Sequence, residues 1–131
     1  MLPGLVWAVV IFVVISLPPE NIPQAPLLQV PHIDKAIHFF MFAVFGVLVL
    51  LGLHKKSTAG SLSLKHITMA VIAGSAYGIL TESIQYCCLP GRHGNVPDVL
   101  ANIFGTVFGV FVIAMAYMTS IRKDDIKDQK S

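Results

Sequence analysis

Apolar residues along this chain come in long unbroken runs, separated by short stretches rich in proline, glycine or charge. A helix needs about 20 mostly apolar residues to cross a bilayer, within a range of about 17–25. Four runs meet or approach that length: Leu2–Leu17, Ile33–Leu53, Ile67–Cys88 and Val96–Thr119. The first is short and stops at Pro18-Pro19. It reads as a span that thins the bilayer or as an uncleaved anchor, since no Lys or Arg precedes it and no A-x-A cleavage site follows. The expected fold is therefore all-α, a polytopic four-helix transmembrane bundle over residues 1–119, with a charged tail over 120–131.

The connections are distinct in kind. Residues 18–32 hold Pro18, Pro19, Pro23, Pro26 and Pro31, so an extended, stiff loop is expected. Residues 54–66 are polar, with Lys55, Lys56 and Lys65, and residues 89–95 read as a tight turn. Composition agrees with lipid as the solvent: 55% of the 131 residues are hydrophobic and 12% are charged, against about 25% charged in soluble domains. The net charge of +2 is mild, and no basic stripe with interleaved aromatics suggests nucleic acid.

Basic residues also set orientation. Lys55, Lys56, Lys65, Arg122, Lys123, Lys127 and Lys130 fall on one side, and Lys35 and Arg92 on the other. The positive-inside rule then places both termini in the cytoplasm and the Pro-rich loop and 89–95 turn outside.

With that topology, the polar residues of the spans gather toward the outer face. Asp34 and His38 are four apart, Glu82 and Gln85 three apart, Asp98 and Asn102 four apart, so each pair shares one helix face. Lys35 and Arg92 complete the set. Gly74 and Gly78 continue the Glu82 stripe, and Gly105 and Gly109 continue the Asn102 stripe. Small residues at this spacing let helices approach closely in lipid, so the third and fourth helices are expected to pack together through them.

Each member also has an ordinary use. Asp98 after Pro97 suits a helix start, and Asn102 and Gln85 can simply bond between helices. His54 and His66 fall at helix boundaries with no assigned role, and no second polar layer is expected at the cytoplasmic side. Cys87 and Cys88 are adjacent, a poor geometry for a mutual disulfide. Glu82 and His38 are harder to dismiss, because ionisable groups below a helix end need a partner or water.

The chemistry open to the cluster is broad. Arg92, Lys35 and His38 can meet phosphate or carboxylate. His38, Glu82 and Asp98 are the candidate catalytic groups, the first two as base and acid. Asp34, His38, Glu82 and Asp98 also have the donor types for a divalent metal, although the sequence assigns no metal site and no cofactor. No nucleophile motif, H-E-x-x-H, P-loop or G-x-S-x-G is present.

The segment Asp34-Lys35-Ala36-Ile37-His38-Phe39 resembles the D-K-x-x-H-F signature of the VanZ-like family. Glu82-Ser83-Ile84-Gln85 followed by Pro90-Gly91-Arg92 resembles its E-x-x-Q then P-G-R element. Asp98 and Asn102 with Gly105 and Gly109 resemble its third, D-x-x-x-N-x-x-G-x-x-x-G. The three together, from Asp34 to Gly109, make a specific match. Phe42 and Phe45 stand where the family often has Tyr and Leu.

The resemblance implies a multi-pass protein of the bacterial inner membrane. It also implies a link to glycopeptide resistance, since the name-giving relative is associated with resistance to teicoplanin. It supplies no reaction. Three expectations follow. The first is an outward-facing pocket for an anionic or amphiphilic ligand, such as a lipid headgroup or envelope precursor, built from Asp34, Lys35, His38, Glu82, Gln85, Arg92, Asp98 and Asn102. The second is an intramembrane hydrolase or transferase acting on a phosphorylated lipid. The third is a structural subunit of an envelope complex, with the lipid bilayer, a second copy of the chain or an envelope protein as partner.

Overall fold

A computed structural model describes residues 1–17, 33–56, 62–88 and 96–128. They form four α-helices: α1 (Leu2–Ser16), α2 (Ile33–Lys56), α3 (Leu64–Cys88) and α4 (Val96–Asp128). Three, α2 to α4, are long and apolar enough to cross a membrane; α1 is apolar but has 15 residues.

Local signals account for the helix ends. Pro3 sits in the first turn of α1, where a missing N–H costs nothing. Leu17 is extended and ends α1, as a residue before proline prefers. Pro97 and Asp98 occupy the first turn of α4. α3 begins three residues earlier than the apolar run suggested, because Ser63 closes its first turn: its N–H donates to His66 Nδ1 at 3.4 Å. α4 continues past Thr119 to Asp128.

The contacts fix the packing. Gly4 lies against Leu48 and Gly52 against Met1, so α1 runs antiparallel to α2. Gly105 and Gly109 meet Phe39 and Ala43 in that order, and Gly74 and Gly78 meet Thr106 and Asn102, so α4 runs with α2 and against α3. α1 packs on α2 and α3. Ile11, Ile15, Phe42 and Phe45 form one apolar cluster between these helices, with Trp7, Met41 and Tyr77 around it. Leu50, Ala70 and Val110 form another, nearer the opposite end.

The glycine stripes divide their work differently from the sequence expectation. Gly74 and Gly78 of α3 do face α4, against Thr106 and Asn102. Gly105 and Gly109 face α2 instead, where any Cβ would collide with the carbonyls of Phe39 and Ala43. A four-residue stripe gives the spacing of a close approach, not the neighbour, and α4 has two. The outer surface remains apolar: Phe104, Phe108, Phe111 and Met115 of α4 and Ile72, Ile79 and Leu80 of α3 are exposed. Such a surface suits hydrocarbon rather than water.

Candidate functional site

Because α2 and α4 run parallel and α3 opposes them, the start of α2, the end of α3 and the start of α4 share one end of the bundle. That end collects the polar residues. Asp34, one turn before His38, is half exposed, and Lys35 Nζ donates to its Oδ2 at 2.9 Å. The same ammonium donates to Asp98 Oδ1 at 3.1 Å, joining α2 to α4. Asp98 itself is buried.

Below this ion pair lies His38, 9% exposed. Its Nδ1 is 3.0 Å from Asn102 Oδ1 on α4 and 3.3 Å from Glu82 Oε1 on α3. Both neighbours offer an acceptor oxygen to this ring nitrogen. Asn102 is wholly buried. Its Nδ2 donates to Gly78 O at 3.4 Å and to Glu82 Oε1 at 3.5 Å. One amide therefore touches both the imidazole and the carboxylate, and Glu82 is 3% exposed. Donor atoms of His38, Glu82 and Asp98 all lie within 4.8 Å of one another.

Gln85 is buried in the same end, but its Nε2 donates to Ile15 O of α1 at 3.1 Å. Ile15 is in the last turn of α1, where carbonyls have no partner within the helix. Two further side-chain bonds hold α1. Tyr77 Oη donates to Ala8 O at 2.7 Å, and Trp7 Nε1 donates to Met41 O at 2.9 Å. Arg92 lies outside the described residues.

An open groove of about 240 Å³ runs beside the cluster between α3 and α4. Its walls include Ile79, Tyr86, Val96 and Val99, and Glu82 forms part of its lining. The groove sets an open, largely apolar surface beside a buried carboxylate.

Sequence reasoning missed a small cluster at the other end. His54 of α2 and His66 of α3 have ring centroids 6.4 Å apart, and His54 lies edge-on to Tyr117 of α4 at 4.9 Å. The adjacency of the α2 end and α3 start was the available signal for the two histidines. Tyr117, about six turns down α4, had none.

Three long apolar helices enclosing a polar centre at one end define a helical membrane protein. Residues 4–117 match the model of the VanZ/LLP1 family, and the chain belongs to that family. No match is found among curated proteins or among solved structures.

Proposed function

We propose that this is a multi-pass protein of the bacterial cytoplasmic membrane that binds the polar head of an anionic, amphiphilic ligand. A lipid or envelope precursor fits that description. The observation that carries the reading is one buried set, His38, Glu82, Asp98 and Asn102, drawn from three helices and capped by Lys35 at an end of the bundle. Ionisable groups are costly inside a membrane and mark functional pathways there. The neighbouring groove gives a hydrocarbon chain a sideways route to the cluster.

In this reading all four helices are inserted, both termini are cytoplasmic and the polar end faces outward, as the distribution of Lys and Arg favours. α1 is about 22 Å long at about 1.5 Å per residue, against a hydrocarbon core of about 30 Å. It reaches across only where the bilayer is thinned. Lys35, with Arg92 in the adjoining turn of the sequence, contacts the anion. Asp34, His38, Glu82, Asp98 and Asn102 shape the pocket and balance its charge, and Gln85 holds α1 against it.

The test is retention of phosphatidylglycerol by detergent-purified protein, read by native mass spectrometry. Lys35→Ala is expected to weaken retention at least about tenfold, the loss of one charge-assisted contact. Retention equal to wild type in that variant removes the pocket from consideration. The matching cell experiment compares teicoplanin sensitivity with the wild-type and Glu82→Gln genes.

The His38–Glu82 contact favours a second reading, an intramembrane hydrolase or transferase on a phosphorylated lipid. There His38 is the general base, Glu82 the acid, and Asp98 supports them. Turnover by purified protein that His38→Ala abolishes without loss of fold separates this reading from binding alone.

A further inference from the structure

We infer that His38, Glu82 and Asp98 hold a divalent transition-metal ion, of the zinc or manganese kind, and that this ion receives the anionic head of the ligand. The inference about the anion rests on the binding function proposed above; the inference about the ion does not.

Charge raises the question. An anion-binding pocket is expected to be cationic, yet Lys35 stands among three carboxylates, those of Asp34, Glu82 and Asp98. Even with Arg92 added from the sequence, the carboxylates outnumber the fixed cations. An ion of charge two offsets that excess of carboxylates at the place where an anion would enter.

Geometry then selects the ligands. Two donors each about 2.0–2.2 Å from one ion lie roughly 3–3.5 Å apart at tetrahedral or octahedral angles. His38 Nδ1 and Glu82 Oε1 are 3.3 Å apart. Asp98 is the third group within 4.8 Å. The three donors come from three different helices and all are at least nine-tenths buried. One imidazole with two carboxylates suits zinc, manganese or iron rather than magnesium or calcium.

The surroundings give an independent reason. Metal ligands are usually oriented by a second group that hydrogen-bonds them. Asn102 is such a group for Glu82: its Nδ2 donates to Glu82 Oε1 at 3.5 Å and to Gly78 O at 3.4 Å. The groove lined by Glu82 supplies an entry path, and three protein donors leave open positions for a phosphate or carboxylate oxygen.

The experiment uses full-length protein in detergent, stripped with chelator and then dialysed against Zn²⁺, Mn²⁺ or Mg²⁺ alone. Metal content is read by mass spectrometry, and Co²⁺ loading of wild type is read by its visible absorption, which needs no variant. The expected result is roughly one Zn²⁺ or Mn²⁺ per chain, no retained Mg²⁺, and a visible Co²⁺ spectrum typical of nitrogen and oxygen donors. His38→Ala, Glu82→Gln and Asp98→Asn should lose the ion, and Asn102→Ala should weaken binding about 10–100-fold. Wild-type protein that retains no transition ion and shows no Co²⁺ spectrum overturns the inference. So does full metal content in the three ligand variants. Phosphatidylglycerol retention is then compared with and without the ion. Lipid held equally well without metal overturns the ion's role in reception, and lipid never held overturns the binding function while leaving the metal site standing.

Discussion

Two polar residues one turn apart on α4, Asn102 and Thr106, are both wholly buried yet carry different weight. The Thr106 hydroxyl donates to the carbonyl of Asn102 in its own helix, a bond that spends no contact on another element. Asn102 joins three groups on two other helices. Thr106→Val is therefore expected to cost less than about 1 kcal/mol. Asn102→Ala strips partners from buried His38 and Glu82 and should cost about 1–3 kcal/mol. Thermal unfolding in one detergent, followed by circular dichroism, compares the two; equal losses would mean that Asn102 is only filler. The pairing of Asp34 with His38, and of Asp98 with Asn102, was legible because helical spacing decides which side chains share a face. Which of them touch was not legible, since that depends on the rotation of each helix about its axis.

At the level of elements, the bundle is held by backbone as much as by side chains. Gly105 and Gly109 bring α4 onto the carbonyls of α2. Gly74 instead faces the Thr106 side chain. A methyl at 109 meets main chain that cannot step aside, and a methyl at 74 meets the wholly buried, β-branched Thr106 side chain. Gly109→Ala and Gly74→Ala should each cost about 1–3 kcal/mol, by the same unfolding measurement. Helix α1 gives the complementary case. Gln85 and Tyr77 both donate to its carbonyls, at Ile15 and Ala8. In a Gln85→Ala, Tyr77→Phe double variant, amide hydrogen exchange should rise several-fold in α1, on the order of 1 kcal/mol for each lost bond. Unchanged exchange there would assign the hold on α1 to apolar packing alone. This docking could not be read from the chain, because a carbonyl acceptor is the same at every residue and leaves no mark in sequence. Gln85 therefore read as a pocket residue, and the partner it reaches was visible only in three dimensions. Helix ends, by contrast, were legible to within a few residues wherever proline or serine set them.

The whole molecule has two unlike ends. One holds Lys35, Asp34, Asp98 and the buried His38–Glu82–Asn102 set; the other holds His54, His66, Tyr117 and Lys55. Orientation in the membrane decides which compartment meets the polar set, and native cysteines report it. Cys87 and Cys88 are exposed at the end of α3 on the polar side. In intact spheroplasts they should react with a membrane-impermeant maleimide. A single cysteine at Lys55→Cys, in a background lacking the native pair, should react only after permeabilisation. The opposite pattern would turn the proposed pocket toward the cytoplasm.

The division of the polar set among three helices also bears on how the chain is made. His38 and Glu82 are added to the chain before Asn102 is. Of the three long apolar helices, α3 has the lowest hydropathy, 1.4 against 2.5 for α2 and 2.2 for α4. A single Asp, Lys or Arg at a helix centre opposes translocon insertion by about 2.5–3.5 kcal/mol, and Glu82 burdens α3 in the same sense. The penultimate helix thus enters lipid as the least willing of the three. Its secure insertion depends on its successor, and a released chain truncated before Asn102 would hold it only loosely.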